Sequence, residues 1–391
     1  MQYNFDEVIQ RKNTQSSKWD NVGARVGNPD ALPMWVADMD FRCPKPVVDA
    51  VRKRAEHEIY GYSYIAPEFR SSTISWIEKR HGWQLSPEWI VFSTGVVPVL
   101  NTMIQTFTEP GDEVIIQRPV YYPFINAVVD NHRVVSSNSL LYSGGTYSID
   151  FEDLEKRAAS PKAKIMILCN PHNPVGRVFT EDELSRMAEI CLKNNVIMVS
   201  DEIHSDLIYT GHKHIPIASL SERFAENTVT CFAPSKTFNT AGLRSSGIVV
   251  PNQTIRKALE KQFARNRSLQ QNIFGLPAYV AAYTECEDYL EQLLLYLENN
   301  VKYLDGFLKE HMPKIKLIKP EATFLMWLDC KELGLDNAGL ADFLINKALV
   351  AVDRGDWFGP EGSGFARMNI ACPRITLRQG LEQIEREYKK L

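Results

Sequence analysis

The sequence predicts an α/β protein with a large, mostly parallel sheet and a smaller α+β domain beside it. From Trp89 to Val250, short strand-like runs alternate with turns and helical stretches, which is the order of elements in an α/β sheet. Lys164–Cys169 is continuously apolar, the pattern of a strand covered on both faces. The chain also has 391 residues, 44% of them apolar, enough for a large core and a second, smaller one.

Charge and cysteine usage narrow the class. Lys+Arg 44 against Asp+Glu 48 gives a net charge of −4 with no long run of one sign, so no nucleic-acid or membrane surface is indicated. Seven scattered cysteines without a C-x-x-C pair point to reduced thiols and a cytoplasmic setting. The start of the chain is acidic, and no apolar stretch reaches membrane length, so a soluble protein is expected.

Residues 1–45 read as an irregular arm, interrupted by Pro33 and Pro44, with the apolar segment Met34–Phe41 packing onto the body. Pro46–Ala55 reads as a helix. Tyr60, Tyr62 and Tyr64 then surround Gly61, a cluster suited to an interface or a core patch. The strand Trp89–Phe92 leads through Gly95, Val96 and Val97 into a helix running toward Phe107, so backbone N–H groups and a helix N-terminus meet where an anion could sit. The strand Glu113–Ile116 delivers Tyr121 and Tyr122 to the same sheet edge. A hairpin turning at Ser143–Thr146 and a helix N-capped by Asp150 follow.

The strand Lys164–Cys169 ends in Asn170-Pro171-His172-Asn173-Pro174-Val175-Gly176, whose prolines and glycine demand a fixed, unusual backbone. A capping box over Thr180–Glu183 opens a helix to Asn194. The next strand, Val196–Ser200, ends in Asp201-Glu202-Ile203-His204-Ser205-Asp206, and ligands bind at such strand ends in doubly wound sheets. His204, Asp206, His212 and His214 could also suggest zinc, but an exposed turn beside Lys213 accounts for the H-x-H pair, so no metal is assigned. After Val250 the chain reads as helical to about Met312, with an amphipathic stretch from Tyr289 to Leu308. Two strands and two helices then close it, Ala322–Leu328 and Leu377–Lys390 being the clearest. The domain boundaries are therefore set at 46–285 for the large domain and 286–391 for the small one, which the arm 1–45 joins.

Two segments carry charge into apolar surroundings. Lys236 sits in a loop between the apolar runs Thr228–Phe232 and Gly247–Val250, where desolvation favours the free amine needed to form a Schiff base. Ser235 and Arg244 flank it with groups suited to a phosphate. Arg367 lies inside the apolar strand around Gly364–Pro373, and a bidentate carboxylate partner would offset the cost of burying it.

The segment S-K-x-F-x-x-x-G-x-R around Lys236 and the N-P-x-N-P-x-G loop resemble the pyridoxal-phosphate (PLP) enzymes of the aspartate aminotransferase fold, fold type I. D-E-I-H from Asp201 and R-x-N-x-A-C-P from Arg367 are similar to their carbon–sulfur lyase branch, which includes cystalysin and some cystathionine β-lyases. The common aminotransferase pattern has Tyr where this chain has His204. The resemblance covers essentially the whole chain, with the motifs in family order. It implies PLP as cofactor, Lys236 as its anchor and base, and Tyr121 stacked on the pyridine. It implies Asn173 at the cofactor's 3′ oxygen and Asp201 at its ring nitrogen, with His204 also at the cofactor. Gly95, Val96, Val97, Ser235 and Arg244 fall to the cofactor's phosphate end. Tyr62 would reach the phosphate of a neighbouring subunit, which implies a homodimer. Arg367, Asn173, Val36 and Ala37 would hold the substrate carboxylate, and Tyr122 would protonate the leaving sulfur. The implied activity is β-cleavage of cystathionine or another cysteine S-conjugate to a thiol, pyruvate and ammonia. A PLP-dependent aminotransferase is the alternative, and a regulatory protein retaining the pocket is a third reading.

Overall fold

The computed structural model describes residues 1–391. Its centre is a seven-stranded sheet of β1 (Ile90–Ser93), β2 (Glu113–Ile116), β3 (Val134–Ser137), β4 (Ala163–Cys169), β5 (Ile197–Asp201), β6 (Thr228–Phe232) and β7 (Ser246–Val249). The spatial order is β1-β7-β6-β5-β4-β2-β3, and only β7 runs antiparallel to its neighbours. β2 leads outward to β3, whereas β4 leads the other way to β5 and β6. That reversal opens a crevice at the carboxyl ends of the strands.

Alternate side chains of each strand enter different cores. Val114, Ile116, Ile165, Ile167 and Val199 pack on one face, while Ile115, Met166, Leu168 and Met198 pack on the other. Both faces are covered, which is why these strands read as apolar runs. A third core around Phe92 and Phe232 takes side chains from helices α1 (Lys45–Ala55), α2 (Pro67–His81), and later helices of the chain. The remaining α-helices of eight or more residues are α3 (Val96–Phe107), α4 (Tyr122–Asp130), α5 (Phe151–Ala158), α6 (Glu181–Lys193), α7 (Gln253–Asn266), α8 (Gly275–Glu285), α9 (Glu287–His311) and α10 (Arg374–Tyr388). None is long and apolar enough to cross a membrane.

The C-terminal part holds an antiparallel sheet of four strands, β8 (Lys316–Leu317), β9 (Leu325–Asp329), β10 (Asp353–Arg354) and β11 (Phe365–Asn369), in the order β8-β9-β11-β10. The sequence suggested only two strands because β8 and β10 are two residues long, too short for any periodicity to register. Helix α9 runs through two cores. Leu290, Leu293 and Leu297 join the core around Phe92, and Leu304 and Leu308 join that of the C-terminal sheet.

The arm is more structured than its prolines suggest. It contains a short helix, Val22–Val26, and Leu32–Pro33 pairs in parallel with Val350–Ala351. Its carboxylates tie it to itself. Asp40 is buried and accepts hydrogen bonds from Lys18 Nζ (2.7 Å), Arg11 Nη1 (2.6 Å) and Trp19 Nε1 (2.8 Å). Helix α2 escaped the sequence reading because its buried face, Phe69, Ser72, Thr73, Trp76 and Ile77, includes two hydroxyl residues. Those hydroxyls bond back to the Phe69 carbonyl, so the face is satisfied without being uniformly apolar.

Candidate active site

The crevice holds a cavity of about 200 Å³ lined from five strand ends. Gly95, Val96 and Val97 follow β1, Tyr121 lies beyond β2, Asn173 beyond β4, Asp201 and His204 at and after β5, and Ser235, Lys236 and Arg244 after β6. Ala37 of the arm closes the opposite side.

Gly95 has φ +147°, a conformation that L side chains rarely adopt, and it turns β1 directly into α3. The first N–H groups of α3 thus reach a cavity that also receives the Ser235 hydroxyl and the Arg244 guanidinium, a suitable set for a phosphate. The Asn-Pro loop is held by backbone bonds from Tyr121 N to Asn173 O (3.1 Å) and from Gly176 N to His172 O (2.8 Å). Gly176 is at φ +76°, and an added Cβ would meet Pro320 at 3.3 Å. Burial lowers His172 to about 4, so it stays neutral with Nε2 3.1 Å from the Gln117 carbonyl oxygen.

The loop bearing Lys236 is anchored from below and above. Thr237 Oγ1 donates to Asp206 Oδ2 (3.0 Å), and Asp206 also accepts from Trp76 Nε1 (3.1 Å). Burial opposes the charge of Asp206, but contacts from His81, Arg80 and Thr237 outweigh it and hold its carboxyl below the usual range. Above, Asn239 donates to the carbonyls of Met39 (2.9 Å) and Phe41 (3.0 Å) and accepts from Met39 N (3.0 Å). Lys236 Nζ donates to the Ala37 carbonyl at 2.7 Å. Burial pulls this amine down to about 8, with Arg367 adding to the shift and Asp38 and Asp201 opposing it.

Burial pushes Asp201 up to about 7, although the Ile203 N–H (3.1 Å) and the charge of Lys236 favour its ionised form. A cationic group placed against it would restore its ionised form. His204 is buried, and burial followed by the charges of Lys236 and Arg367 keeps it well below the ordinary imidazole value. Its ring lies edge-on to Phe324, and Nδ1 has no partner. Burial likewise raises Tyr121 to about 12, which keeps its phenol protonated.

Arg367 lies in the middle of β11, and Asp353 stands opposite it on β10 as its buried ion-pair partner. The sequence reading foresaw a carboxylate partner but missed that the protein supplies one, because Asp353 belongs to the two-residue strand. Arg367 also donates to Asn173 Oδ1 (2.9 Å) and the Trp35 carbonyl (3.2 Å), leaving Nε unpartnered. It thus adjoins the cavity through Asn173. Val36 is beside it, with its carbonyl accepting from Asn369. Tyr122 begins α4, outside the cavity wall, 5.4 Å from the Tyr121 ring and 6.1 Å from that of Phe358. Tyr62 is outside as well, with a fully exposed side chain among exposed Ile59, Tyr60 and Tyr64.

The histidine-rich turn differs from the sequence reading. His212 is exposed, but His214 is buried with Nε2 2.8 Å from Glu202 Oε2. Glu202 is itself buried behind β5 and bonded to Ser200, so it requires a donor there. The supports from Asp206, Trp76 and His81 were also missed: their spacing along the chain carries no motif.

The cavity therefore combines an anion cradle, a buried carboxylate, a neutral imidazole and a desolvated lysine amine, with a guanidinium beside it. The chain belongs to the aminotransferase class I and II family, which it matches over residues 33–384. It is 45% identical over 382 residues to cystathionine β-lyase PatB of Bacillus subtilis strain 168, covering 98% of this chain and 99% of that one. Among solved structures, it resembles a PLP-bound protein of Clostridium difficile 630 whose aminotransferase assignment is provisional (44% identity, TM-score 0.97, 99% of this chain and 100% of the other). It also resembles PLP-containing cystalysin of Treponema denticola (36% identity, TM-score 0.96, 100% of both chains).

The raised pKa of Asp201 has a consequence for the cofactor-free protein. A carboxyl at about 7 in the fold and about 3.9 when unfolded favours the fold only while protonated, so stability is lost as pH rises from about 4 to about 7. Asp201→Asn removes that loss. The stability advantage of the variant, measured by urea unfolding, should grow by roughly 2–3 kcal/mol between pH 5 and pH 8. An advantage that does not change with pH would show that Asp201 is not buried against its charge.

Proposed function

We propose that this protein is a PLP-dependent carbon–sulfur β-lyase that cleaves cystathionine or a related cysteine S-conjugate. The observation that carries the reading is the half-buried Lys236 amine, lowered to about 8 by desolvation, in one cavity with Asp201 and a neutral His204. The family and the lyase relatives support the same conclusion.

The residues fit the cofactor group by group. Gly95, Val96, Val97, Ser235 and Arg244 would hold the phosphate, Asp201 the ring nitrogen, and Asn173 with His204 the ring oxygen, with Tyr121 on the ring face. When bound, PLP supplies an electron-withdrawing ring conjugated to the substrate's Cα. Arg367, whose Nε has no partner, would hold the α-carboxylate, helped by Asn173 and by the backbone at Val36 and Ala37. The Lys236 amine accepts the Cα proton at Nζ as general base, which a protonated lysine could not do. A thiolate leaves Cβ, and Tyr122, outside the cavity wall but against the Tyr121 ring, supplies its proton. Water then completes the change, so cystathionine plus water gives homocysteine, pyruvate and ammonia.

The reading extends to assembly. The exposed row Ile59, Tyr60, Tyr62 and Tyr64 supports a homodimer in which Tyr62 reaches the neighbouring cofactor phosphate. The division into 46–285 and 286–391, with the arm 1–45 counted in the small domain, is supported by the separate sheets, and α9 packs into the cores of both. Seven free cysteines support a cytoplasmic location.

The reaction class is tested with the PLP-loaded enzyme and cystathionine. Thiol and pyruvate should appear in equal amounts without an added keto acid, and Lys236→Ala should release neither; strict dependence on a keto acid with no thiol would make the protein an aminotransferase.

Tyr62 is tested by subunit mixing. Tyr62→Ala should weaken PLP binding about tenfold or more. Hybrid dimers with Lys236→Ala should regain activity toward half of wild type, because one site carries both lesions and the other neither. Verified hybrids without recovery would confine Tyr62 to its own chain.

A further inference from the structure

Arg25 occupies a position that the reaction above does not use. It lies in the last turn of the short helix Val22–Val26, and its Cζ is 4.2 Å from the Trp357 ring, 5.3 Å from the Tyr122 ring and 5.8 Å from the Trp35 ring. Three aromatic faces thus hold one guanidinium in place. The side chain makes no hydrogen bond and no ion pair within the chain, although the residue is exposed. Most arginines of the arm and its surroundings are paired: Arg11 with Asp38 and Asp40, Arg42 with Glu7, and Arg354 with Asp356. Arg25 is fixed by stacking, and its donor edge is free.

Its location is equally specific. Trp35 joins it to the substrate side of the cavity, since the Trp35 ring faces Arg25 and the Trp35 carbonyl accepts from Arg367. Tyr122 touches Arg25 on one side and Tyr121 of the cavity wall on the other. Phe358 continues the same wall, 6.1 Å from the Tyr122 ring and 4.9 Å from Arg367 Cζ. Arg25 also acts electrostatically on Asp353, the ion-pair partner of Arg367: burial raises that carboxyl, and the charges of Arg367 and then Arg25 draw it back. Beside the cavity, therefore, lie a buried guanidinium at Arg367 and an exposed one at Arg25, with aromatic rings packed against both.

We propose that Arg25 is a specificity-determining residue that binds a second carboxylate, carried at the far end of the group attached to the substrate's sulfur. The proposal rests on the lyase reading and names the substrate class: cysteine S-conjugates whose leaving thiol carries an anionic terminus. A guanidinium presents parallel N–H donors that match a carboxylate, and the aromatic rings on its faces fix the direction of those donors. The aliphatic and sulfur atoms of the substrate would lie along the part-exposed Tyr122 and Trp357, with the two carboxylates at Arg367 and Arg25.

The test uses the PLP-loaded enzyme and two amino acids that have no leaving group. L-2-Aminosuberate and L-2-aminooctanoate have equal chain lengths and differ only in a terminal carboxylate or methyl group. Kd is read from the change in cofactor absorbance on titration. Wild type should prefer the dicarboxylate by about tenfold or more, as a charge-assisted contact of this kind implies. Arg25→Gln should abolish the preference, and Arg25→Lys, which keeps the charge without the fork, should retain part of it. Equal Kd values in wild type would overturn the proposal. So would a preference that survives Arg25→Gln, or an equal weakening of both ligands, which would make Arg25 only a support for the tryptophans. Thiol release from cystathionine is measured in parallel. A preserved preference without thiol release would remove the lyase reading and keep the subsite, whereas thiol release without a preference would remove the subsite alone.

Discussion

The contact between Lys236 Nζ and the Ala37 carbonyl joins two parts of the chain that are remote in sequence, next to a third. The sheet carries the lysine, the arm covers it, and the C-terminal sheet brings Arg367 beside it. An ammonium exposed to water would keep its ordinary pKa, so the value near 8 depends on the arm staying in place. The arm is secured accordingly. Asn239 clasps Met39 and Phe41 from the lysine loop itself, and Asp40 locks Lys18, Arg11 and Trp19 into the arm's interior. The reactive group and its cover are held by adjoining residues of one loop.

A cavity of this kind concentrates charge where charge is costly. Asp201 is buried without a full counterion, and Arg367 with Asp353 forms an ion pair whose desolvation offsets much of its attraction. These arrangements make sense as preorganisation. On the proposed reading, the charges that would face the cofactor and substrate are already aligned, so little rearrangement is needed for binding. The surrounding sheet, packed on both faces, provides the rigidity that such alignment requires.

The sequence made the large sheet legible because its strands are buried on both sides and separated by helices with clear starts. The capping box at Thr180 and the N-cap at Asp150 both stand where local chemistry placed them. The cavity wall was legible because its residues sit in loops immediately after strands, where the backbone itself is constrained. What escaped was held by contacts between distant segments. Asp353 lies on a strand too short to have a pattern, helix α2 hides hydroxyls on its buried face, and His214 turns inward only because Glu202 awaits it. Arg25 carried no signal at all, since its significance comes from three aromatic rings, one of them more than three hundred residues away.

The central claim is that the fold holds Lys236 as a partly deprotonated amine before any ligand binds. Its most direct test is to titrate that residue in the cofactor-free protein. Limited reductive methylation with isotopically labelled formaldehyde allows the Lys236 resonance to be followed by NMR from pH 6 to pH 11 and assigned by its absence in Lys236→Ala. A midpoint of about 8 is predicted. A midpoint above 10 for Lys236 would contradict the claim, because the arm would then not be desolvating the amine.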